Sequence, residues 1–255
     1  MSVSPSASES VFALGRGGEL VGRSTFCDEP PEVKNVPEVG GFADPSLERI
    51  VALAPTLVVG ERGPAGPRLI EALEQRGVAT YFPPIASIAD IIAFLLGLGE
   101  RLGATDAARA LVASIDKELQ VVKAEAAARR RPRTAFLFDF KPLIAAGPET
   151  FPDELLRRAG GDNVVTAGGM YPRLGPEGLL ALDPEVIIDG SAPGVYPGDP
   201  LEILRSIEGL AALRAVREGR VARLAGTSAL RPGPRIGKGV AEVHALIAKL
   251  SEPKP

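Results

Sequence analysis

The chain has 255 residues, 45% of them hydrophobic and 24% charged, and a formal net charge of −3 at pH 7. This length and apolar content allow a large hydrophobic core, in one domain or in two lobes. The slight negative charge and the lack of a basic stripe interleaved with aromatic residues argue against nucleic-acid binding.

No sequence segment has the features of a membrane span or of a secretory signal. The apolar segment 91–99 (IIAFLLGLG) is too short and too glycine-rich to cross a bilayer and predicts a buried helix. The first ten residues, MSVSPSASES, lack both the basic and the apolar region of a signal peptide. Cys27 is the only cysteine, so it gives no information on the redox compartment.

The first part of the chain alternates predicted helices and strands. An amphipathic helix follows Ser4 and ends at Gly15, residues 19–25 (ELVGRST) predict a short buried strand, and a loop rich in proline and glycine follows. Further predicted elements are helices at 46–53 and 67–76 and strands at 56–60 (TLVVG) and 78–83 (VATYFP). This alternation favours a parallel α/β sheet.

Residues 105–131 predict one long helix. Thr105 is a favourable N-cap, the arginines at 129–131 complement the negative end of the helix dipole, and Pro132 stops the helix. Apolar residues recur at spacings of three and four, at Leu111, Ile115, Leu119 and Val122. About 26 helical residues would span roughly 39 Å. Such a helix would be a strut between two lobes, which we place at 1–104 and 132–255.

The second lobe repeats the α/β pattern. Its predicted strands are 134–140 (TAFLFDF), 163–165 (NVV), 185–190 (EVIIDG) and 221–226 (VARLAG), with an apolar run at 143–147 and helices at 153–159, 176–182 and 239–250. Residues 48–59 and 177–188 align without a gap as helix, proline turn and buried strand. Any helix–proline–strand unit would look similar, but we interpret the match as a duplicated lobe.

Catalytic and metal-binding constellations are scarce. His244 is the only histidine and lies on a predicted helix beside Val243, which is typical of a structural role. One histidine and one cysteine cannot build a zinc site, and neither a Rossmann nor a Walker glycine motif is present. The adjacent carboxylates Asp28 with Glu29 and Asp153 with Glu154 suit solvated or capping roles. The sequence therefore indicates a protein that is not an enzyme.

Six blocks, in order along the chain, resemble one family: extracytoplasmic solute-binding proteins of the cobalamin, haem and siderophore uptake type, which feed ATP-binding-cassette importers. The blocks are SPSASE (4–9), LVGRS with CDEPPE (20–24 and 27–32), VPEVGG (36–41), LERIVALAP (47–55), YPRL (171–174) and RPGPRI (231–236). The resemblance implies two Rossmann-like lobes joined by one long backbone helix, with the ligand in a cleft between the lobes. It also implies a periplasmic or membrane-anchored, monomeric protein without a cofactor of its own.

The family has a strand before the S-P-S block, whereas only Met1, Ser2 and Val3 precede it here, so we expect a first strand and a signal segment to be missing from this chain. Family members also carry one exposed glutamate per lobe that pairs with arginines of the permease. Glu48 fits the first of these positions. The second falls near Leu230, and Glu177 is a substitute by internal symmetry.

The resemblance also suggests ligand-binding residues. Phe26 and Phe42 match positions where cobalamin binders have aromatic residues, and Tyr171 matches another in the second lobe; core packing is the alternative for each. Haem binders often have an iron-ligating tyrosine at the position of Phe42, which argues against haem. The full set of ligand-binding candidates is Phe26, Phe42, Glu61, Arg62, Tyr171, Arg173, Leu230 and Arg231.

Three ligand classes remain open. Ferric siderophores favour arginine clusters, which Arg62, Arg173 and Arg231 could supply. The C-D-x-P-P and R-P-G-P-R blocks look most like cobalamin-binding members, and Glu61 and Arg62 would hydrogen-bond corrin amides unless they form surface salt bridges. We therefore predict a corrinoid receptor, with a siderophore or haem receptor as the alternative. A chelatase-like tetrapyrrole enzyme is a remote alternative from another class.

Overall fold

The computed structural model describes residues 1–62 and 66–252. The chain forms two compact units. The first contains Met1–Ile115 together with Arg231–Pro234, and the second contains Asp116–Leu230 and the chain from Arg235 onward. Among the described residues, none of the helices combines the length and apolar character that a membrane crossing requires.

The first unit has a two-stranded parallel sheet covered by helices. Its elements are α1 (Pro5–Ala13), α2 (Leu47–Ala52), β1 (Leu57–Val59), α3 (Gly66–Glu74), β2 (Ala79–Tyr81) and α4 (Ile88–Arg101), with 3-10 turns at Gly17–Glu19 and Pro31–Asn35. Leu57 of β1 pairs with Ala79 of β2. Ile50, Val58 and Leu73 are fully buried in its core. The predicted buried helix over 91–99 is confirmed as part of α4.

The first three residues pair with β1 in the manner of a parallel strand. The Val3 amide donates to the Val59 carbonyl (2.9 Å), and the Val59 amide donates to the Met1 carbonyl (3.0 Å). On the other side, the Ser2 amide donates to the Gly22 carbonyl (3.0 Å). Residues 1–3 therefore supply an extended segment ahead of α1.

The strand predicted at 19–25 is wrong. The structure has the 3-10 turn Gly17–Glu19 there, followed by isolated bridges from Arg23 to Ser2 and to Glu38. The Arg23 amide donates to the Pro37 carbonyl (2.9 Å). Proline has no N–H with which to extend the ladder, so pairing stays local.

The long helix, α5 (Thr105–Ala127), has 23 residues and spans about 35 Å. It begins with Thr105 as a helical residue and ends four residues before the predicted Arg131. Turn-type hydrogen bonds from Ala128 to Glu125 and from Arg129 to Ala126 tighten its end. Beyond the end of the helix, the Arg131 guanidinium donates to the carboxylate of Asp162 and to the backbone carbonyls of Arg157 and Gly161.

The second unit contains a six-stranded mixed sheet in the order β6-β4-β3-β7-β8, with β5 beside β3. Its elements are β3 (Arg133–Phe140), β4 (Leu143–Ala145), α6 (Phe151–Arg158), β5 (Asp162–Asn163), β6 (Arg173–Leu174), α7 (Pro176–Leu182), β7 (Val186–Asp189), α8 (Pro200–Ser206), α9 (Arg214–Arg217), β8 (Val221–Arg223) and α10 (Ile236–Ser251).

The prediction of parallel pairing holds for only part of this sheet. Strands β3, β7 and β8 are parallel neighbours, and β5 is parallel to β3. Strands β4 and β6 extend the sheet antiparallel. Only Lys141 and Pro142 separate β3 from β4, and a connection of two residues can join only antiparallel strands.

Candidate ligand-binding surface

Helix α1 is buried on its polar positions as well as its apolar ones, so the prediction of an amphipathic helix is wrong. Ser6, Ser8 and Ser10 are fully buried. Their hydroxyls are satisfied locally: Ser10 donates to the Ser6 carbonyl (2.7 Å), and Ser8 donates to Sγ of Cys27 (3.0 Å). The Ser6 hydroxyl donates to the carboxylate of Glu61. Helix α1 thereby presents a hydroxyl group to a predicted site residue.

Arg231 lies in the first unit, where two carboxylates bind it. Its Nη1 donates to Oε1 of Glu9 (2.8 Å) and to Oδ1 of Asp28 (2.6 Å). The side chains of Arg231, Glu9 and Asp28 are 16%, 4% and 53% exposed. The solvated role predicted for Asp28 is therefore incomplete, because this carboxylate pairs with an arginine 203 positions away.

These contacts shift the pKa values of Asp28 and Arg231 in opposite directions, and both shifts favour the charged form. The hydrogen bond from Arg231 holds the pKa of Asp28 below its usual value, against the opposing effect of burial. Burial alone would lower the pKa of Arg231, but the hydrogen bonds to Asp28 and Glu9 raise it above the usual value. The pair is therefore ionised at neutral pH.

Glu61 is a half-buried carboxyl group beside this pair. Burial raises its pKa, while the Ser6 hydrogen bond and the positive charge of Arg231 oppose the rise, and the negative charge of Glu9 adds to it. Its neighbour Arg62 is exposed, with Nε donating to the Phe82 carbonyl (2.9 Å). Glu61 therefore lies beside Ser6 and Arg231. The Arg62 side chain is instead hydrogen-bonded to Phe82, the residue after β2.

Phe26 and Phe42 lie on neighbouring loops of the first unit. Phe26 is 61% exposed, which excludes core packing for this residue, and Phe42 is half-buried. The ring of Phe26 packs against Gly41, where an added Cβ would lie 3.3 Å from Cε2 of Phe26. The loop that carries Phe42 is closed by an antiparallel bridge between Gly40 and Pro45. The ring of Phe26 therefore lies against the loop that carries Phe42.

The second unit holds the remaining ligand candidates. Tyr171 is 51% exposed, and its ring meets Phe138 edge-on at a centroid distance of 5.6 Å. Arg173 is exposed on β6, and Leu230 is half-buried. The Tyr171 loop depends on Gly147, where an added Cβ would lie 2.0 Å from the Gly169 carbonyl oxygen. Tyr171 is therefore a surface aromatic on a closely packed backbone.

Both predicted docking glutamates occupy the same place in the repeated segment. Glu48 is exposed in the first turn of α2, and Glu177 is exposed in the first turn of α7. Val51, one helical turn after Glu48, is 40% exposed. The two glutamates therefore lie at equivalent positions of α2 and α7.

His244 is buried in the second unit. Its Nδ1 lies 2.8 Å from the Ala159 carbonyl oxygen, and Nε2 lies 3.5 Å from the carboxylate of Glu125. These contacts fit the predicted structural role. In the part of the chain that the structure describes, no group of three or more histidine, cysteine, aspartate or glutamate residues could hold a metal ion.

The sequence did not predict that Glu9 and Ser6 would bind two of the ligand-binding candidates, Arg231 and Glu61. Both belong to the SPSASE block, but their partners, Arg231 and Glu61, lie far away in sequence. A single sequence contains no signal for such long-range pairs. The hydrogen bonds of Arg231 to Glu9 and Asp28 nevertheless join three of the six sequence blocks that resemble the family.

Comparison with known proteins agrees with this architecture. Residues 1–226 match the sequence model of a family described as periplasmic binding protein. The vitamin B12-binding protein of Salmonella paratyphi A is 30% identical over 189 residues, which are 74% of this chain and 70% of that protein.

Two solved structures share the fold along nearly the whole chain. A periplasmic haem-binding protein from Pseudomonas aeruginosa is 29% identical with a TM-score of 0.85, and the match covers 100% of this chain and 94% of that one. The periplasmic haem-binding protein BhuT, in complex with two haems, is 27% identical with a TM-score of 0.86, covering 98% and 97%. The chain has their two-lobed α/β fold, and it belongs to the periplasmic binding protein family, whose members are extracytoplasmic solute receptors and not enzymes.

Proposed function

We propose that this protein captures a corrinoid outside the cytoplasm and delivers it to the permease of an ATP-binding-cassette importer. The proposal is supported by relatives named vitamin B12-binding proteins. The observation that carries it is the surface of the first unit on which Phe26 lies beside Gly41, the neighbour of Phe42, and two residues before Asp28 of a carboxylate-rich cluster. We call the residues Glu9, Asp28, Glu61 and Arg231 the acidic cluster.

The acidic cluster suits the chemistry of a corrinoid. With all groups ionised, it has three negative formal charges and one positive charge. The periphery of a corrin ring carries amide side chains whose N–H groups donate hydrogen bonds, and carboxylates accept such bonds strongly. The exposed ring of Phe26 and the half-buried ring of Phe42 offer apolar surface to the macrocycle. Glu61, Arg62 and Arg231 are the proposed polar contacts here.

Haem binding is the second candidate, because two structural relatives are named haem-binding proteins. Haem carries two anionic propionates, which the negative charge of the acidic cluster disfavours. Phe42 has no oxygen with which to ligate iron. Tyr171, an exposed phenol on the second unit, is the residue that favours this candidate.

A ferric siderophore has less support. The three arginines predicted to bind it are Arg62, Arg173 and Arg231. Arg231 already binds two carboxylates, and Arg62 donates to a backbone carbonyl. An anionic ligand would have to compete with the carboxylates of Glu9 and Asp28 for Arg231.

Docking to the permease is proposed through Glu48 and Glu177. Each is exposed in the first turn of a helix, at the positive end of the helix dipole. Two such acids on equivalent helices would pair with basic residues of a membrane partner. Tyr171, Arg173 and Leu230 are proposed as further ligand contacts of the second unit.

A competition experiment tests the ligand class. The purified protein is incubated with an equimolar mixture of cyanocobalamin, haemin and a ferric siderophore, and the retained ligand is identified by native mass spectrometry. We expect one cyanocobalamin per chain. Retention of haemin or of the siderophore in its place would contradict the corrinoid proposal and support the corresponding alternative.

A further inference from the structure

Two carboxylates from separate parts of the first unit share one nitrogen of Arg231. Glu9 comes from α1, and Asp28 comes from the loop that also carries Phe26. Glu9 is almost fully buried, whereas the Asp28 side chain is 53% exposed. Glu9 therefore anchors the guanidinium, and Asp28 presents negative charge to solvent two residues after the exposed ring of Phe26.

The double pairing changes what Arg231 can offer to a ligand. An arginine with no carboxylate partner would attract propionates or other acids through a bidentate contact. Here its positive charge is already neutralised by Glu9, and Asp28 adds a further negative charge. Glu61 lies close enough for the charges of both Arg231 and Glu9 to act on its ionisation. With all four groups ionised, the formal charge of the acidic cluster is −2, from three acids and one base.

We infer that Asp28 and Glu9 form a charge filter, which disfavours ligands bearing free carboxylates and admits ligands whose carboxyl groups are amides. Glu9 acts as a positioning residue that fixes Arg231, and Asp28 supplies the outward negative charge. The inference rests on the proposed function, because it assigns ligand selection to the surface that carries Phe26 and Phe42. It adds two residues to the set of ligand determinants.

The test compares two ligands that differ by one charge. Cyanocobalamin is titrated beside a cyanocobalamin monocarboxylate, in which one propionamide of the corrin is hydrolysed to the acid. For the wild-type protein at pH 7.5 we expect the acid to bind about fivefold more weakly than the amide. In Asp28→Asn the ratio of the two dissociation constants, acid over amide, should fall to about twofold or less. One negative charge is then removed, and Arg231 is partly released.

Glu32→Gln is the matched control, since Glu32 is an exposed acid of the same loop region and the same charge is removed. Its ratio of dissociation constants, acid over amide, should equal that of the wild type. High salt gives a second readout that needs no variant: the wild-type ratio should fall at about 0.5 M NaCl, because Asp28 is half exposed and open to screening. A ratio near one in the wild type, or a ratio unchanged in Asp28→Asn, would overturn the filter.

The same variants separate the filter from the proposed function. If cyanocobalamin does not bind, the corrinoid proposal fails, and the filter is then measured with haemin against its neutral dimethyl ester. A preference for the ester that is lost in Asp28→Asn would support the filter with a porphyrin ligand. Equal binding of the two porphyrins, or no binding of either pair, would overturn it.

Discussion

Ala54 and Asp183 adopt the same left-handed backbone conformation at equivalent positions of the two repeated segments. Their φ angles are 44° and 38°. Each precedes a proline, and a buried strand begins three residues later, at Leu57 and Val186. The repeat inferred from the sequence is therefore also a repeat of backbone conformation.

The positive φ angles predict that glycine substitution changes the free energy of unfolding by different amounts at Ala54 and Asp183. Ala54→Gly should stabilise the protein by about 0.5 kcal/mol, because alanine is strained at positive φ and glycine is not. Asp183→Gly should gain less, since aspartate tolerates the left-handed region better. Ala52→Gly, within α2, is the control and should cost about 1 kcal/mol. Urea unfolding measures all three, and a loss for Ala54→Gly as large as for Ala52→Gly would show that no strain exists at Ala54.

The aromatic surface predicts a loss of ligand affinity. Phe26→Ala and Phe42→Ala should each weaken cyanocobalamin binding by about 1–3 kcal/mol in calorimetric titration, because each removes an aromatic wall from the macrocycle. Val21→Ala is the control, since Val21 is an exposed apolar residue of the same unit outside these loops. Unchanged affinity in either phenylalanine variant would remove that residue from the site.

Substitution of the two proposed docking glutamates should reduce transport without changing ligand affinity. Glu48→Ala and Glu177→Ala should leave cyanocobalamin affinity intact and reduce uptake into vesicles that contain the importer, with a larger reduction in the double variant. Glu71→Ala, an exposed acid on α3, is the control and should transport normally. A loss of ligand affinity in Glu48→Ala would contradict a docking role.

Glu61 predicts a pH-dependent term in the stability of the ligand-free protein. Its folded pKa is raised above the ordinary 4.5 by burial, so the folded state favours the protonated form. Stability relative to a neutral side chain is therefore fully present below pH 4.5 and falls as the pH rises through the folded pKa.

Glu61→Gln should accordingly melt at a higher temperature than the wild type at pH 7, and the difference should vanish near pH 4. The amide oxygen of glutamine can still accept the Ser6 hydroxyl. Glu32→Gln, which makes the same substitution at an exposed position, is the control. A Tm difference for Glu61→Gln that does not change with pH would contradict the raised pKa.

The sequence predicted the elements whose signals are local. Helix α5 follows from apolar periodicity, helix α4 follows from the short apolar run 91–99, and the repeated helix–proline–strand unit follows from aligned residues. The strand at 19–25 was wrong because its pairing depends on Pro37, a residue outside the segment. Strand β6 and helices α8 and α9 were not predicted, since each has only two to seven residues and little periodicity.

Residues of the candidate site were likewise predictable only where a local motif contains them. Phe26, Phe42 and Tyr171 were chosen from motif positions, and the structure places Phe26 and Tyr171 at the surface with Phe42 half-buried. The pairing of Arg231 with Glu9 and Asp28 joins residues more than 200 positions apart. Only folding brings such groups together, so no spacing rule applied to one sequence could have identified them.

The most direct test of the corrinoid proposal is parallel calorimetric titration of the purified protein with cyanocobalamin, haemin and a ferric siderophore. We predict tight binding of cyanocobalamin at one molecule per chain and at least about tenfold weaker binding of the two anionic ligands, equivalent to 1.4 kcal/mol. Tighter binding of haemin or of the siderophore than of cyanocobalamin would contradict the assignment of this protein as a corrinoid receptor.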